Sequence, residues 1–474
     1  MEKHKLVKSL LLALGFSASA HAGGLLAPDN ETRQDLTWLV NQEVIQLSLS
    51  TWPMSIDDVE RALAKADTQV AGAEAVVNRV KKRITYLKSP VKASLYTSTS
   101  DSGLPHEFAS SPKANHSLAL ALNSHGQWWD VTLQGNAEAD RRVGNHSWAN
   151  LDGSYAAVKF YNQWLMFGRI PQWWGPGFDG SLIRTDAARP VTGFLMQRAD
   201  QSPFETKWLS WLGRWQYQLT AGQLAQYHSV PDAKLIGFRI TLNPFEFMEL
   251  GASRMMQWGG DGRPKSFNSF WDALLGDTDG TKVDRSNQLA GLDLTVPLNF
   301  LSLPMSLYGQ IVGERIADGL PTKNMFLAGF NGHYAVNNAI INWYIEGAKT
   351  HNQKNKGIFY THHNYREGYY QQGYPLGHAI GGDGEIISTK IEYVTDTDYR
   401  YSARLLYAEV NPLDQKENWG FPSSEHIFGA ELGWAGSLFT PDLNLKSALW
   451  YNSSNQQSSD DVGLMVNFEY RFNY

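Results

Sequence analysis

The last segment of the chain alternates between apolar and mostly polar positions. From Asp461 to Tyr474, every even-numbered residue is apolar or aromatic. Successive side chains of a strand point to opposite faces, so this pattern predicts a strand with one wholly apolar face. A long soluble edge strand of this kind would be an aggregation hazard. Such a strand with a terminal aromatic residue is typical of β-barrels that cross the bacterial outer membrane.

The N-terminus has the features of a secretory signal peptide at residues 1–22. Lysines at 3, 5 and 8 precede the short apolar run Leu10–Phe16, and Ala20-His21-Ala22 forms a small-residue cleavage site. The apolar run is too short to cross a bilayer as a helix. We therefore expect the chain to be exported through a cleaved signal peptide and to lie in the outer membrane of a Gram-negative bacterium.

Composition narrows the classes of function. The chain has no cysteine, which excludes disulfides and thiolate metal sites. A net charge of −6 argues against nucleic acid as a partner. The 17 Trp and 21 Tyr are the aromatic types that line membrane interfaces and stack on sugars.

Three helical patterns follow the signal peptide and define a predicted domain at residues 23–89. Asp29 or Asn30 can cap the first helix, and Ser55 opens a capping box for the second. The third, at about 70–87, has a single apolar stripe and a basic opposite side. We expect a small helical bundle on the periplasmic side. It either rests on its neighbour or serves as a plug or docking platform, and the latter is favoured because the bundle is joined to a barrel.

Residues 90–474 read as strands separated by alternating short turns and long loops. The short turns belong on the periplasmic side and the long loops outside. Strands can be counted forward from residue 90 and backward from the C-terminus. The two counts agree only if Trp208–Leu212 and Arg214–Leu224 form one strand. The sequence then predicts a mainly β protein, a transmembrane antiparallel β-barrel of about 18 strands.

The predicted inner wall carries charges of both signs. Lys390 and Glu392 share one face of a strand, and Arg400 and Arg404 share one face of the next. The simpler interpretation is that these charges pair across strands. The alternative is a row of basic side chains that guides an acidic ligand.

Two predicted outward loops contain candidate carbohydrate-binding residues. Segment 171–190 has adjacent tryptophans before a Gly-Pro-Gly turn, and arginines lie on both sides of them. The second loop, from residue 257, combines glycines, charges and an aromatic stretch with a short helix predicted at 267–275. It is not a phosphate-binding loop, because Pro264 precedes Lys265. The candidates are Arg169, Trp173, Trp174, Arg184, Trp258, Asp261, Arg263 and Trp271. For each tryptophan, packing in the barrel mouth or the interfacial girdle is the competing interpretation.

A catalytic or metal site is not indicated. His351, His362, His363 and His378 lie in one tyrosine-rich loop without metal-ligand spacing, and we interpret them as surface histidines. The esterase signature Gly-x-Ser-x-Gly is absent, and no pair of carboxylates stands out. We expect no cofactor.

The chain resembles the Wzi-type capsule assembly proteins of Gram-negative outer membranes. The resemblance rests on Ser50-Thr51-Trp52-Pro53, on Gly168-Arg169 leading into Trp173–Gly177, and on Gln257–Gly260 with Gly262-Arg263-Pro264. It implies an eighteen-stranded barrel with a helical bundle at the periplasmic mouth and a blocked lumen. It also implies a lectin that anchors exported capsular polysaccharide, and neither an enzyme nor an open porin. No sugar-contacting position is carried over residue by residue.

The leading hypothesis is therefore an outer-membrane protein that binds an acidic capsular polysaccharide or exopolysaccharide. Membrane lipid and the polysaccharide export machinery are its further expected partners. One alternative is a plugged or sugar-selective channel. Another is an outer-membrane hydrolase that acts on a lipid or a glycan.

Overall fold

The structure is a computed structural model that describes residues 23–110, 112–142, 147–275, 286–298, 304–317, 320–336, 339–351, 357–416, 418, 420–456 and 460–472. The predicted signal peptide and the C-terminal Tyr474 lie outside the described residues.

Eighteen antiparallel strands close into a barrel, which confirms the predicted fold class and strand number. Closure is made where β18 pairs with β1, with Phe472 opposite Val91 and Met465 opposite Ser98. In chain order the strands are β1 Val91–Ser98, β2 Ala114–His125, β3 Trp129–Arg141, β4 Ala149–Asn150 with Tyr155–Phe160, β5 Gln163–Gly168, β6 Thr192–Arg198, β7 Arg214–Gln223, β8 Lys234–Phe245, β9 Met248–Trp258, β10 Ser286–Pro297, β11 Met305–Ala317, β12 Leu320–Val336, β13 Ala339–Lys349, β14 Glu385–Val394, β15 Arg400–Val410, β16 Glu425–Ser437, β17 Leu443–Ser454 and β18 Asp461–Phe472. Both parts of β4 pair with β3, so they count as one interrupted strand.

One step of the predicted strand count is wrong. Trp208–Leu212 is not part of a strand: Ser210–Leu212 forms a 3-10 turn, and β7 begins only at Arg214. Gly213 separates the two with a φ of 67°, in the left-handed region that glycine adopts without strain. Segment 199–213 is therefore a periplasmic connection, and β7 alone supplies the strand.

The wall shows the expected alternation of side chains. On β14, Ile387 and Ile391 point outward, whereas Ser388, Lys390 and Glu392 are buried inside. The exposed apolar side chains of successive strands form a band around the barrel, which we call the lipid-facing band. Aromatic side chains such as Phe245 and Phe247 mark its periplasmic edge.

The three predicted helices are present: α1 Asn30–Asn41, α2 Ile56–Ala64 and α3 Ala73–Leu87. Asp29 caps α1 by accepting the backbone N–H of Thr32 at 3.0 Å. Ser55 precedes α2, but its side chain makes no capping hydrogen bond. Among the described residues, no helix is both long and apolar enough to span a bilayer.

Helix α1 lies inside the barrel and is buried on its polar side as well as its apolar side. A polar helix face can be buried there because the inner wall is polar too. Asn41 donates to Asn331 of β12 at 2.9 Å, and Arg400 of β15 donates to Asp35 at 2.7 Å. Residues 23–87, which we call the plug, therefore fill the periplasmic part of the lumen.

Helix α3 closes the periplasmic mouth and uses part of its basic side to do so. Arg79 pairs with Asp35 at 2.8 Å, and Arg83 pairs with Asp29 at 2.6 Å. Burial alone would raise the pKa of Asp29, but the Arg83 guanidinium outweighs it and holds that pKa well below its usual range. Lys81 and Lys82 remain exposed to the periplasm.

Candidate functional site

Segment 169–191 leaves β5 at the extracellular end and folds into the lumen. Trp173–Trp174 pairs with Thr51–Trp52 of the plug as a short antiparallel ladder. Trp173 is 1% exposed and Trp174 0% exposed. The prediction that this loop presents both rings outward is wrong, because Trp173 is buried in the apolar cluster of the plug and Trp174 in a cluster with wall residues such as Met255. The competing interpretation, packing inside the barrel, is the one that the structure shows.

An aromatic ladder joins this segment to the plug and to the connection between β1 and β2. The Phe108 ring packs edge-on against Trp52 at 5.3 Å and against Trp173 at 5.0 Å. The Arg33 guanidinium of α1 lies 4.4 Å from the Phe108 ring centre and also 4.4 Å from that of Phe178. Burial lowers the pKa of Arg33 to about 10, so this side chain stays charged at neutral pH.

Arg184, another predicted carbohydrate-binding residue, is also inside the lumen. It is buried, and its Nε donates to Gln172 at 3.2 Å. Its backbone carbonyl accepts the N–H of Trp174 at 3.0 Å. Arg184 therefore fixes the path of this segment and is not available at the surface.

Inward-pointing charges of the wall hold segment 169–191 in place. Arg404 of β15 donates to Asp179 at 2.6 Å and to Glu431 of β16 at 2.7 Å. The Glu346 carboxylate of β13 accepts backbone N–H groups from three consecutive residues, Phe178, Asp179 and Gly180. The charges of the wall thus pair across strands, as the simpler interpretation predicted. They also pair with segment 169–191, which lies inside the lumen. Glu346 was not among the predicted site residues, although a charge at an inward position of a strand was a usable signal.

The tyrosine-rich segment 357–384 closes the extracellular side. The hydroxyl of Tyr369 donates to the carbonyl of Ile183 at 2.8 Å, and Tyr360 donates to Leu182. His378 is fully buried in this packing, so the prediction of a surface position is wrong for this residue. Burial, with Arg404 nearby, lowers the pKa of His378 to about 3. His351, His362 and His363 retain solvent exposure.

Three extracellular segments meet above the sealed lumen, and we call residues 224–233, 259–266 and 362–368 the loop platform. The N–H of Asp261 donates to the carbonyl of Pro231 at 2.7 Å. The hydroxyl of Tyr365 donates to Gly259 at 3.1 Å, and the Arg263 guanidinium lies 5.5 Å from the Tyr365 ring centre. The solvent-facing polar side chains of the platform include His228, Asp261, Arg263, Lys265, His363 and Arg366.

Arg169 lies apart from the platform, at the extracellular end of β5. Its Nε donates to Thr192 at 2.8 Å, and its side chain is 40% exposed. Arg189 next to it is buried between Glu138 and Asp152, with donor–acceptor distances of 3.1 and 2.8 Å. Arg169 is therefore solvent-accessible, whereas the neighbouring Arg189 is engaged in ion pairs with Glu138 and Asp152.

Trp258 and Trp271 lie in a fourth place, on the outside of the wall. Trp258 packs edge-on against Phe270 at 5.4 Å, and Phe270 contacts Trp271 at 5.9 Å. Phe270 and Trp271 belong to helix α4, Phe267–Leu275, which confirms the short helix predicted there. The eight candidates thus fall into four places: the lumen, the Arg169 cluster, the platform with Asp261 and Arg263, and the outer wall.

The described residues contain no group of three or more His, Asp and Glu side chains placed to hold a metal ion. The buried charges near the centre are engaged by one another and by backbone groups.

A closed barrel with an apolar outer band and a lumen packed with side chains defines a class: sealed membrane-spanning β-barrels of the bacterial outer membrane. Comparison with known proteins places the chain more closely. The family model of the capsule assembly protein Wzi matches residues 88–461, and the chain belongs to this family.

Two relatives are similar over nearly the full chain. A Klebsiella pneumoniae protein described as an uncharacterized 55.8 kDa protein in the cps region is 50% identical over 98% of this chain and 92% of its own length. The solved structure of Wzi from Escherichia coli is 48% identical, covers 95% of this chain and all of its own, and superposes with a TM-score of 0.90. That relative is described as an outer membrane protein involved in group 1 capsule assembly and as a carbohydrate-binding β-barrel.

Proposed function

We propose that this protein is exported through a cleaved signal peptide and resides in the outer membrane. There it binds exported capsular polysaccharide at its extracellular face and helps attach the polymer to the cell surface. The observation that carries the proposal is the sealed lumen. The plug and the inward-folded segments fill it from both ends, so the chain offers surfaces to a polymer and not a passage. The description of the Escherichia coli relative as a carbohydrate-binding barrel supports the same role.

The loop platform is the proposed binding surface. Arg263 and Arg366 place cationic groups where an acidic polysaccharide would approach. Lys265 pairs with Asp261 at 3.0 Å, and both side chains are more than half exposed, so their remaining donors and acceptors can reach sugar hydroxyls. Arginine binds carboxylates through two parallel N–H groups, which suits the uronic or pyruvylated sugars of an acidic polymer. Arg169 supplies a second, separate contact at the rim.

The proposed role is binding without turnover. Asp179 and Glu346 are the buried carboxylates nearest the centre, and both are used to hold the inward-folded segment. Both side chains are buried, Asp179 at 1% and Glu346 at 2% exposure, so a polymer bound at the extracellular surface would not reach them.

A further part of the proposal concerns the export machinery. Lys81 is exposed on the periplasmic side of α3, and Lys82 beside it is 58% exposed while it pairs with Asp398 at 3.3 Å; we propose that these two lysines bind an acidic partner. Lys81→Glu with Lys82→Glu should lower polymer at the cell surface while binding of purified polymer stays unchanged. Equal loss in both measurements would contradict this part.

Binding of purified acidic polysaccharide by the purified protein in detergent tests the main proposal. Arg263→Ala with Arg366→Ala should weaken retention by about tenfold or more, because a hydrogen bond to a charged group contributes roughly 1.5–3 kcal/mol. Binding should also weaken as salt is raised. The matched control is Lys81→Ala on the periplasmic side, which should bind as the unaltered protein does. Equal retention by the platform variant and the control would overturn the assignment.

A further inference from the structure

Helix α4 is fixed to the outside of the barrel wall. The Ala273 carbonyl in its last turn accepts hydrogen bonds from Gln288 of β10 at 2.6 Å and from Arg254 of β9 at 3.4 Å. Both side chains point outward, because the residues beside them in the strands, Met255 and Leu289, are buried in the core of the lumen. A cation and an amide donor thus satisfy the carbonyl end of the helix, which is the negative end of its dipole.

The helix covers outward positions that would otherwise face lipid. Met256, Ser286 and Gln288 are each less than a tenth exposed, although all three lie on the outer face of their strands. On the helix, Ser269 and Ala273 are buried against the wall. A polar patch on the wall is therefore paired with the helix and shielded by it.

The depth of this contact lies within the lipid-facing band. Phe247 lies at the periplasmic edge of the band, and Arg254 follows it seven positions later in the chain. With a rise of roughly 3.3 Å per residue and a strand tilt of about 40°, Arg254 lies about 18 Å above that edge. The apolar band of such barrels is about 25 Å tall, so the C-terminal end of α4 lies below its upper edge.

The face of α4 that points away from the wall is apolar. Phe267, Trp271 and Leu275 lie four residues apart and so share one side of the helix. Phe267 is 72% exposed and Leu275 is 68% exposed. In the sheet, Phe238 of β8 lies opposite Arg254 of β9 and belongs to the lipid-facing band. The apolar stripe of α4 extends this band further from the wall.

We infer that α4 is an interfacial anchor whose exposed stripe inserts into the acyl-chain region of the outer leaflet. An amphipathic helix with aromatic and leucine side chains on one face lies in this way at a membrane surface. Trp258 and Trp271 then contact lipid, and not the carbohydrate for which the sequence analysis proposed them. The inference is independent of polysaccharide binding.

Site-directed spin labelling tests the inference, and the cysteine-free chain makes every introduced cysteine unique. Phe267→Cys and Leu275→Cys are each labelled in the full protein, reconstituted in vesicles of phosphatidylethanolamine and phosphatidylglycerol. Two matched controls are Phe238→Cys in the lipid-facing band and Lys416→Cys in an extracellular loop. We expect both α4 labels to collide more often with oxygen, which partitions into lipid, than with a water-soluble nickel chelate. Their ratio of collision frequencies should match that at Phe238.

Two results would overturn the inference. A nickel accessibility at both α4 positions equal to that at Lys416 would place the stripe in water, where it could meet a sugar. Low accessibility to both reagents, with spin–spin broadening between molecules, would show that a second copy of the chain covers it. Heat-modifiable electrophoretic mobility checks that each variant forms a closed barrel, and agreement between the two positions guards against local disturbance by either change.

Discussion

The adjacent tryptophans at 173 and 174 show how residues suited to sugar stacking can instead seal a barrel. Their backbones pair with Thr51–Trp52 of the plug, and Phe108 bridges the rings of Trp173 and Trp52. The Trp174 ring is buried in a different cluster, with wall residues such as Met255. Large aromatic side chains buried in this way contribute packing that smaller residues cannot replace. Trp173 joins the inward-folded segment to the plug, and Trp174 joins the same segment to the barrel wall, where it donates to Gln218 of β7.

Trp174→Ala should therefore lower stability without weakening polymer binding by the folded protein. Replacement of a buried tryptophan by alanine costs about 3–5 kcal/mol, because it leaves a cavity as well as removing contacts. Denaturant unfolding in detergent measures the loss. Trp208→Ala is the control, since that side chain is 88% exposed and its loss should change little. Weakened polymer binding by folded Trp174→Ala protein would contradict the packing role.

His378 makes stability depend on pH. Its pKa is lowered to about 3 by burial, whereas an unfolded histidine titrates near 6.5. Below pH 6.5 the unfolded chain binds a proton that the folded protein does not, so stability falls as the pH drops from 6.5 towards 3. Between pH 7 and pH 5 this amounts to about 2 kcal/mol. The pH dependence of unfolding should become less steep by about this amount in His378→Asn and stay unchanged in the exposed control His363→Asn. Identical profiles for all three proteins would refute this role.

At the scale of elements, the strands could be predicted from the sequence and the paths of the loops could not. Alternation of side chains is a local property, so Asp461–Phe472 and Glu385–Val394 are recognisable as strands from their own residues. The partner of Trp173–Trp174 lies more than 100 residues earlier in the chain. The same tryptophans, glycines and tyrosines fit either an outward loop or an inward one. Only the polar partners on the wall, such as Glu346 and Arg404, decide between the two.

Arg404 fastens segment 169–191 to the wall through Asp179, and its removal should release that segment. Arg404→Met leaves a buried carboxylate without its cation, which costs about 3–5 kcal/mol. Arg404→Met combined with Asp179→Asn should recover part of the loss in unfolding experiments. Lys349→Met is the control, because the side chains of this lysine and its partner Glu385 are both exposed, at 58% and 36%, and such pairs contribute roughly 0–1 kcal/mol. Additive losses in the double variant would show that the two side chains are not coupled.

At the scale of the whole molecule, the barrel and the plug share one interior. Apolar residues of α1, α2 and α3 pack in one cluster with Trp173 of segment 169–191 and with Ile340 and Val394 of the wall. The predicted boundary between residues 89 and 90 falls in the connection from α3 to β1. An eighteen-stranded barrel is wide enough for an aqueous lumen, and here protein fills that space.

Removal of the plug should open the barrel. Deletion of residues 29–88 is expected to raise single-channel conductance in planar bilayers above that of the full-length protein, because it removes Thr51–Trp52, the pairing partner of Trp173–Trp174, and so releases segment 169–191 from its place in the lumen. Circular dichroism and heat-modifiable mobility verify that the deleted protein keeps its barrel. Unchanged conductance in a folded barrel would mean that the remaining segments seal the lumen alone.

The most direct test of the proposed function is the amount of acidic polysaccharide bound to cells compared with the amount released into the medium. The measurement uses a strain that lacks this protein. We predict that such cells make the polymer but shed it, and that the unaltered protein restores the bound fraction. The variant Arg263→Ala with Arg366→Ala, present in the outer membrane at an equal level, should not restore it. A normal bound fraction in cells without the protein would contradict the account.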